Sequence, residues 1–132
     1  MKIVIDTNIL FSFFWKESIT RKLIINLNNT LLTPKKAKDE LIKYSKEIIQ
    51  KLKINQKEFN CLLEELENTI IFIGEGEYAE IIETIKDKVL DKGDYDFVAL
   101  AYKNNYIIWS NDKILKSQGL VKVITTKELL ED

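Results

Sequence analysis

Apolar residues follow two rhythms along this chain, short continuous runs and longer stretches at spacings of three and four. Residues 2–5, Lys-Ile-Val-Ile, form an apolar run of the kind that fills an inner strand of a parallel sheet. From Ile9 to Ile25 the spacing predicts helix in two pieces, with a break near Glu17-Ser18. Asn28-Asn29 marks a turn before a short strand at Thr30-Leu31-Leu32. Thr33-Pro34 then reads as a helix start, with Thr as the N-cap and Pro as the first helical residue. Ala37, Leu41, Tyr44, Ile48 and Leu52 follow on one face of a single continuous helix.

A further helix is expected over 56–67, a strand from Thr69 to Ile73, and a helix from Glu77 to Leu90 carrying Ala79, Ile82, Ile85 and Val89 in step. Lys92-Gly93 breaks that pattern. Asp94 starts a helix through Lys103, Asn104-Asn105 ends it, and Tyr106 to Trp109 is the next strand. A short helix at Lys113–Lys116, a turn at Gly119, a last strand from Val121 to Ile124 and a helix capped by Thr125 or Thr126 complete the chain. Strands alternating with helices imply an α/β fold, a central parallel sheet of about five strands flanked by helices.

That topology gives meaning to the acids. Asp6 directly follows the first strand, and Asp112 lies just beyond Trp109-Ser110-Asn111, so both sit at the carboxyl edge of the sheet, where such folds bind ligands. Asp94 shares a helix face with Phe97, Val98 and Ala101, which points it along the buried side. Glu40 lies at the margin of its helix's apolar face, beside Leu41 and Tyr44. Each acid alone could be a helix cap or half of an ion pair: Asp6, Asp94 and Asp112 as caps, Glu40 with Lys36 or Lys43. Asp91 and Asp96 flank Asp94; Asp96 falls on another face, as a solvated residue or a secondary contact.

Composition narrows the chemistry. The chain has no histidine and one cysteine, which excludes Ser-His-Asp and Cys-His nucleophiles, histidine-based ribonuclease chemistry, HExxH zinc sites and structural zinc. The lone Cys61 fits a reducing cytoplasm and, within FNCLLEEL, a small core residue. No apolar stretch is long enough to span a membrane, so a cytoplasmic protein is expected. Residues 35–53 hold seven lysines against three acids, whereas 58–87 hold nine acids against Lys86 alone. These are either two solvated helix faces, or the basic segment borders an anion-binding surface.

Carboxylates converging at one edge repel by about 4 kcal/mol per pair at 4 Å and an effective dielectric near 20. Either one acid keeps a proton or a divalent cation binds, and an all-oxygen site suits Mg²⁺ or Mn²⁺.

The runs VIDTNIL, TPKKAKDEL, DYDFVALA and WSND, in that order, resemble the PIN-domain family of metal-dependent ribonucleases, which includes toxin subunits of toxin–antitoxin pairs. The resemblance covers essentially residues 1–132 as one domain. It implies acidic roles for Asp6, Glu40, Asp94 and Asp112, with metal at Asp6, Asp94 and Asp112 and support from Thr7, Asn8 and Ser110. It also implies Mg²⁺ or Mn²⁺ as cofactor, single-stranded RNA as substrate, dimerisation, and an antitoxin as a further partner. Lys35, Lys36, Lys43 and Lys113 are the expected backbone-holding cations, Trp15, Tyr44 and Tyr95 are either stacking rings or residues of the core and ordinary surface, and Asp96 is a supporting acid. A haloacid-dehalogenase-type phosphatase needs a second Asp where this chain has Asn8, and a receiver domain needs an Asp where Gly74 follows the third strand. The non-enzymatic alternative is an inactive module of the same fold that binds RNA or protein.

Overall fold

The computed structural model describes residues 1–15 and 17–131. Among them the chain runs β1 (Lys2–Ile5), α1 (Thr7–Ser12), α2 (Ile19–Asn26), β2 (Thr30–Pro34), α3 (Lys35–Lys43), α4 (Ser45–Leu52), α5 (Gln56–Thr69) and β3 (Ile71–Ile73). It continues through α6 (Ala79–Ile85), α7 (Tyr95–Asn104), β4 (Ile107–Trp109), α8 (Lys113–Lys116), β5 (Val123–Ile124) and α9 (Thr126–Glu131). The strands form one parallel sheet in the order β3-β2-β1-β4-β5. The chain builds outward from β1 on one side and then returns to its other side, so the switch in strand order falls at β1 and β4.

β1 and β4 are apolar because they lie at the centre. Val4, Ile5, Ile108 and Trp109 are fully buried, and each such aliphatic side chain stabilises the fold by about 1.5–3 kcal/mol. Helix α7 lies across β2, β1 and β4; its small Ala99 and Ala101, both fully buried, allow that close approach. Its end is set by Asn105 in the left-handed conformation (φ 57°).

Several local expectations are corrected. The helix expected from Thr33-Pro34 starts one residue later, at Lys35 with Pro34 in the N-cap position: Thr33 and Pro34 still belong to β2, Pro34 pairs with Ile73, and the buried Thr33 hydroxyl donates to the Ile5 carbonyl at 2.7 Å. Proline's fixed φ suits extended backbone as well as a first helical turn, and here sheet pairing wins. The expected single helix after it is two, broken at Tyr44 (φ −98°, ψ 16°), so Tyr44 stands exposed instead of joining the apolar face. Glu77 to Leu90 is likewise divided into a 3-10 turn, α6 and a second 3-10 turn. Cys61 is exposed rather than in the core. Helix α5 buries Phe59 and Leu66, and Cys61, two positions after Phe59, points well away from that face. The break near Ser18 and the final cap are as expected: Ser18 caps α2, and Thr125 and Glu128 exchange bonds at the start of α9.

Candidate active site

β1 ends at Ile5, and the next residue carries the first acid. The Asp6 N–H donates to the Trp109 carbonyl at 3.1 Å, continuing the β1–β4 pairing, while its own carbonyl accepts from Ile9 and Leu10 to open α1. Its side chain is therefore delivered to the sheet's carboxyl edge at the switch between β1 and β4. It is buried. The fully buried Ser110 hydroxyl donates to Asp6 Oδ2 at 2.7 Å and accepts from the Asp112 N–H at 3.0 Å. One hydroxyl thus ties together two acids from opposite ends of the chain. Asp112 Oδ1 accepts from the N–H groups of Ile114 and Leu115 at 2.8 and 3.3 Å, capping α8; Oδ2 makes no such bond among the described residues.

Asp94 occupies the N-cap position of α7 without a side-chain cap bond. Burial, then the charges of Asp6, Asp91 and Asp112, push its carboxyl up to about 6. Asp6 is raised chiefly by burial, against the bond from Ser110, with Asp112 adding to the rise. Glu40, half-buried on α3, is also raised, by burial first and then by Asp6 and Asp96, against the opposing charge of Lys36. The charge of Asp112 thus raises Asp6 and Asp94, and that of Asp6 raises Asp94 and Glu40, so Asp6, Asp94 and Glu40 hold protons more tightly than free carboxyls do.

One cation is already fixed there. Lys36, one turn before Glu40, donates to the Gly93 carbonyl at 3.3 Å and to Asp96 Oδ1 at 3.2 Å. Asp96 Oδ2 in turn accepts from the Tyr78 hydroxyl at 2.6 Å. Asp96 is thus not the solvated residue its helix face suggests; its side chain is 16% exposed and it anchors Lys36 beside Asp94. Burial and the Asp96 carboxylate push the Tyr78 phenol up, keeping it a donor. Sequence inspection missed Tyr78. Its spacing of four from Ile82 marks an apolar face, and a buried tyrosine needs a partner for its hydroxyl, but nothing local identifies that partner as Asp96.

The other expected residues divide. Thr7 is buried beside Asp6, and its hydroxyl is an orphan, with no hydrogen-bond partner among the described residues. Asn8 is exposed. Lys43 lies over the Tyr44 ring, 5.4 Å from its centroid, while Lys35 and Lys113 are exposed. Tyr95 is half-buried against the core.

Whether this edge suits a hard divalent cation can be judged from its donors. All are oxygens, the carboxyls are under mutual repulsion, and the orphan Thr7 hydroxyl is placed to want a water. Among the described residues no three acids form a ready-made cage. Mg²⁺ does not require one: it keeps several waters and commonly takes one or two carboxylates directly. The residues fit such an ion.

A sequence model of the PIN-domain family matches residues 4–132. No curated protein matches the chain. Among solved structures, the crystal structure of VapBC2 from Rickettsia felis bound to a DNA fragment from its promoter matches with a TM-score of 0.66 at 18% identity, covering 95% of this chain and 98% of that one. At that identity the likeness speaks for the fold, and the fold it shares is the five-stranded parallel α/β arrangement described above. With the family match spanning all but the first three residues, the chain belongs to the PIN-domain family.

Proposed function

We propose that this protein is a divalent-metal-dependent endoribonuclease that hydrolyses phosphodiester bonds of single-stranded RNA. The observation that carries the proposal is the junction of Asp6, Ser110 and Asp112 at the switch between β1 and β4, faced by an Asp94 carboxyl raised to about 6. Asp6, Asp94 and Asp112 would hold Mg²⁺ or Mn²⁺, with Glu40 alongside or through water. When bound, such an ion supplies charge neutralisation at the phosphate and makes a coordinated water acidic enough to attack.

The chain's own residues supply the rest. Ser110 fixes the rotamer of Asp6 and the approach of Asp112. Glu40, with its raised carboxyl, can hold a proton near the reacting water. Lys36, tethered by Asp96 and Tyr78, keeps a positive charge at this edge that can meet a non-bridging phosphate oxygen. Lys35, Lys43 and Lys113 attract the RNA backbone without reading its bases.

The test is cleavage of a single-stranded RNA by the purified protein with added Mg²⁺ or Mn²⁺, with EDTA, and with Asp6→Asn. Cleavage in the first arm alone supports the proposal. A binding module of the same fold retains RNA and cuts it in no arm, and that outcome sinks the enzyme reading. The likeness to one VapBC2 structure supports extending the proposal to a toxin held by a protein antitoxin, and the family resemblance adds a homodimer. Induced expression that arrests growth, relieved by co-expressing the product of an adjacent small gene, tests that extension.

A further inference from the structure

Beside the acids, α1 and α4 enclose a groove of about 600 Å³, lined among others by Asn8, Phe11, Trp15, Tyr44, Glu47 and Lys51. Two of its rings are unusually open for aromatic side chains: Trp15 is 52% exposed and Tyr44 41%. The backbone that carries Trp15 is fixed, and the Tyr44 ring is packed. The Trp15 N–H donates to the Ser12 carbonyl at 3.2 Å, and its carbonyl accepts from Arg21 Nη2 at 2.7 Å, so the turn that presents the indole is fastened at both ends. Phe11 meets Tyr44 edge to face, with centroids 6.5 Å apart and planes at 70°. The break between α3 and α4 at Tyr44 is what turns this ring outward.

The groove is tied to the acidic edge through two residues that line it. Asn8 lies two residues beyond Asp6, and the Tyr44 N–H donates to the Glu40 carbonyl at 3.0 Å, one turn from that acid. A strand whose phosphate is at the acids has this groove within reach of its neighbouring nucleotides. The helices that form its outer wall belong to the segment with seven lysines against three acids, and Lys43 and Lys51 stand at Tyr44 and in the groove wall. Glu47 disfavours phosphate inside the groove, which leaves bases for the rings and the backbone for the lysines.

We infer that this groove is a nucleobase-stacking subsite for single-stranded RNA, with Trp15 and Tyr44 as the platform and Lys43 and Lys51 holding the adjoining backbone. Exposed rigid rings beside lysines are how proteins bind single strands with little sequence preference, because every base offers a π-face. The inference takes its substrate from the ribonuclease proposal, but its test does not require cleavage.

Trp15 reports directly, since the other tryptophan, Trp109, is fully buried. The full chain carrying Asp6→Asn is titrated with an oligoadenylate and, separately, with an RNA duplex, following tryptophan emission. Quenching by the single strand and much less by the duplex is expected. Trp15→Ala should abolish the quench, and either Trp15→Ala or Tyr44→Ala should weaken binding by about 10-fold, with an unchanged melting temperature showing that each variant folds. In a cleaving background the same substitutions should raise KM about 10-fold and leave kcat nearly unchanged. Oligoadenylate that binds without altering Trp15 emission, with both variants at parent affinity, overturns the inference and leaves the groove to a protein segment; failure to bind at all overturns it too. If the oligomer quenches Trp15 while the parent protein cuts no RNA, the subsite stands and the nuclease proposal falls.

Discussion

Two acids at helix starts illustrate opposite solutions to the same problem. Glu128, in the first turn of α9, accepts from the Thr125 N–H and hydroxyl and pairs with Lys116, and its carboxyl is pulled down to about 2. Asp94, at the start of α7, has no cap bond, is surrounded by Asp6, Asp91 and Asp112, and is pushed up to about 6. Everything around Glu128 neutralises it within the chain, through bonds first and charge second. Around Asp94 the chain concentrates negative charge instead, and supplies one tethered lysine in partial answer. A fold that caps α9 so completely has left the start of α7 dependent on something from outside.

The comparison is broken most severely by removing an acid from the rim. Asp6→Asn is expected to lower metal-dependent RNA cleavage by more than about 100-fold, since even outer partners of a metal site cost 10–100-fold. Circular dichroism should show the fold unchanged, because the amide oxygen can still accept from Ser110. Next comes the tether of Lys36. Asp96→Asn is expected to cost about 10-fold in kcat/KM by releasing the ammonium from the phosphate position, whereas Tyr78→Phe should cost about 1 kcal/mol of stability with a smaller kinetic effect. Equal losses from both substitutions would mean that Asp96 serves packing rather than the position of Lys36.

The third effect concerns stability without metal. The Asp94 carboxyl is raised in the folded state from an ordinary value of 3.8 to about 6. Below both values each state holds the proton; between them only the folded state does, so folding weakens as pH climbs from about 4 to about 6 and then levels off. Thermal melts in EDTA should show this decline, and Asp94→Asn should flatten it. At neutral pH the substitution should stabilise the metal-free protein by about 1 kcal/mol, after allowance for its half-exposed position, and added Mg²⁺ should stabilise the parent more than the variant. The smallest effect is reserved for the contrasting acid. Glu128→Gln should leave cleavage unchanged and hardly move the melting temperature, because glutamine keeps the capping bonds and the lost ion pair is exposed.

The elements and the acids were legible for one reason: both are written in local spacing. Ile3-Val4-Ile5 followed by Asp6, and Ile107-Ile108-Trp109 followed by Ser110 to Asp112, announce buried strands with acids at their carboxyl ends, and the parallel topology brings the two together. What escaped depends on contacts far along the chain. The helix-start signal of Thr33-Pro34 is answered one residue late, at Lys35, because Ile5 and Ile73 hold both residues in the sheet. Tyr44 fits the apolar period of its helix yet marks a break, and Asp96 fits a solvated face yet is held by Tyr78 and Lys36. Periodicity describes one element at a time and is blind to a side chain whose partner belongs to another.

The bond from Ser110 to Asp6 spans 104 positions of sequence. During synthesis Asp6 is made with β1, while the hydroxyl that orients it and Asp112 arrive only after β4. Pairing that distant closes late because so much chain must be ordered first. A chain cut short before β4 therefore carries Asp6, Glu40 and Asp94 but neither the hydroxyl that orients Asp6 nor Asp112, and its acidic edge stays unassembled.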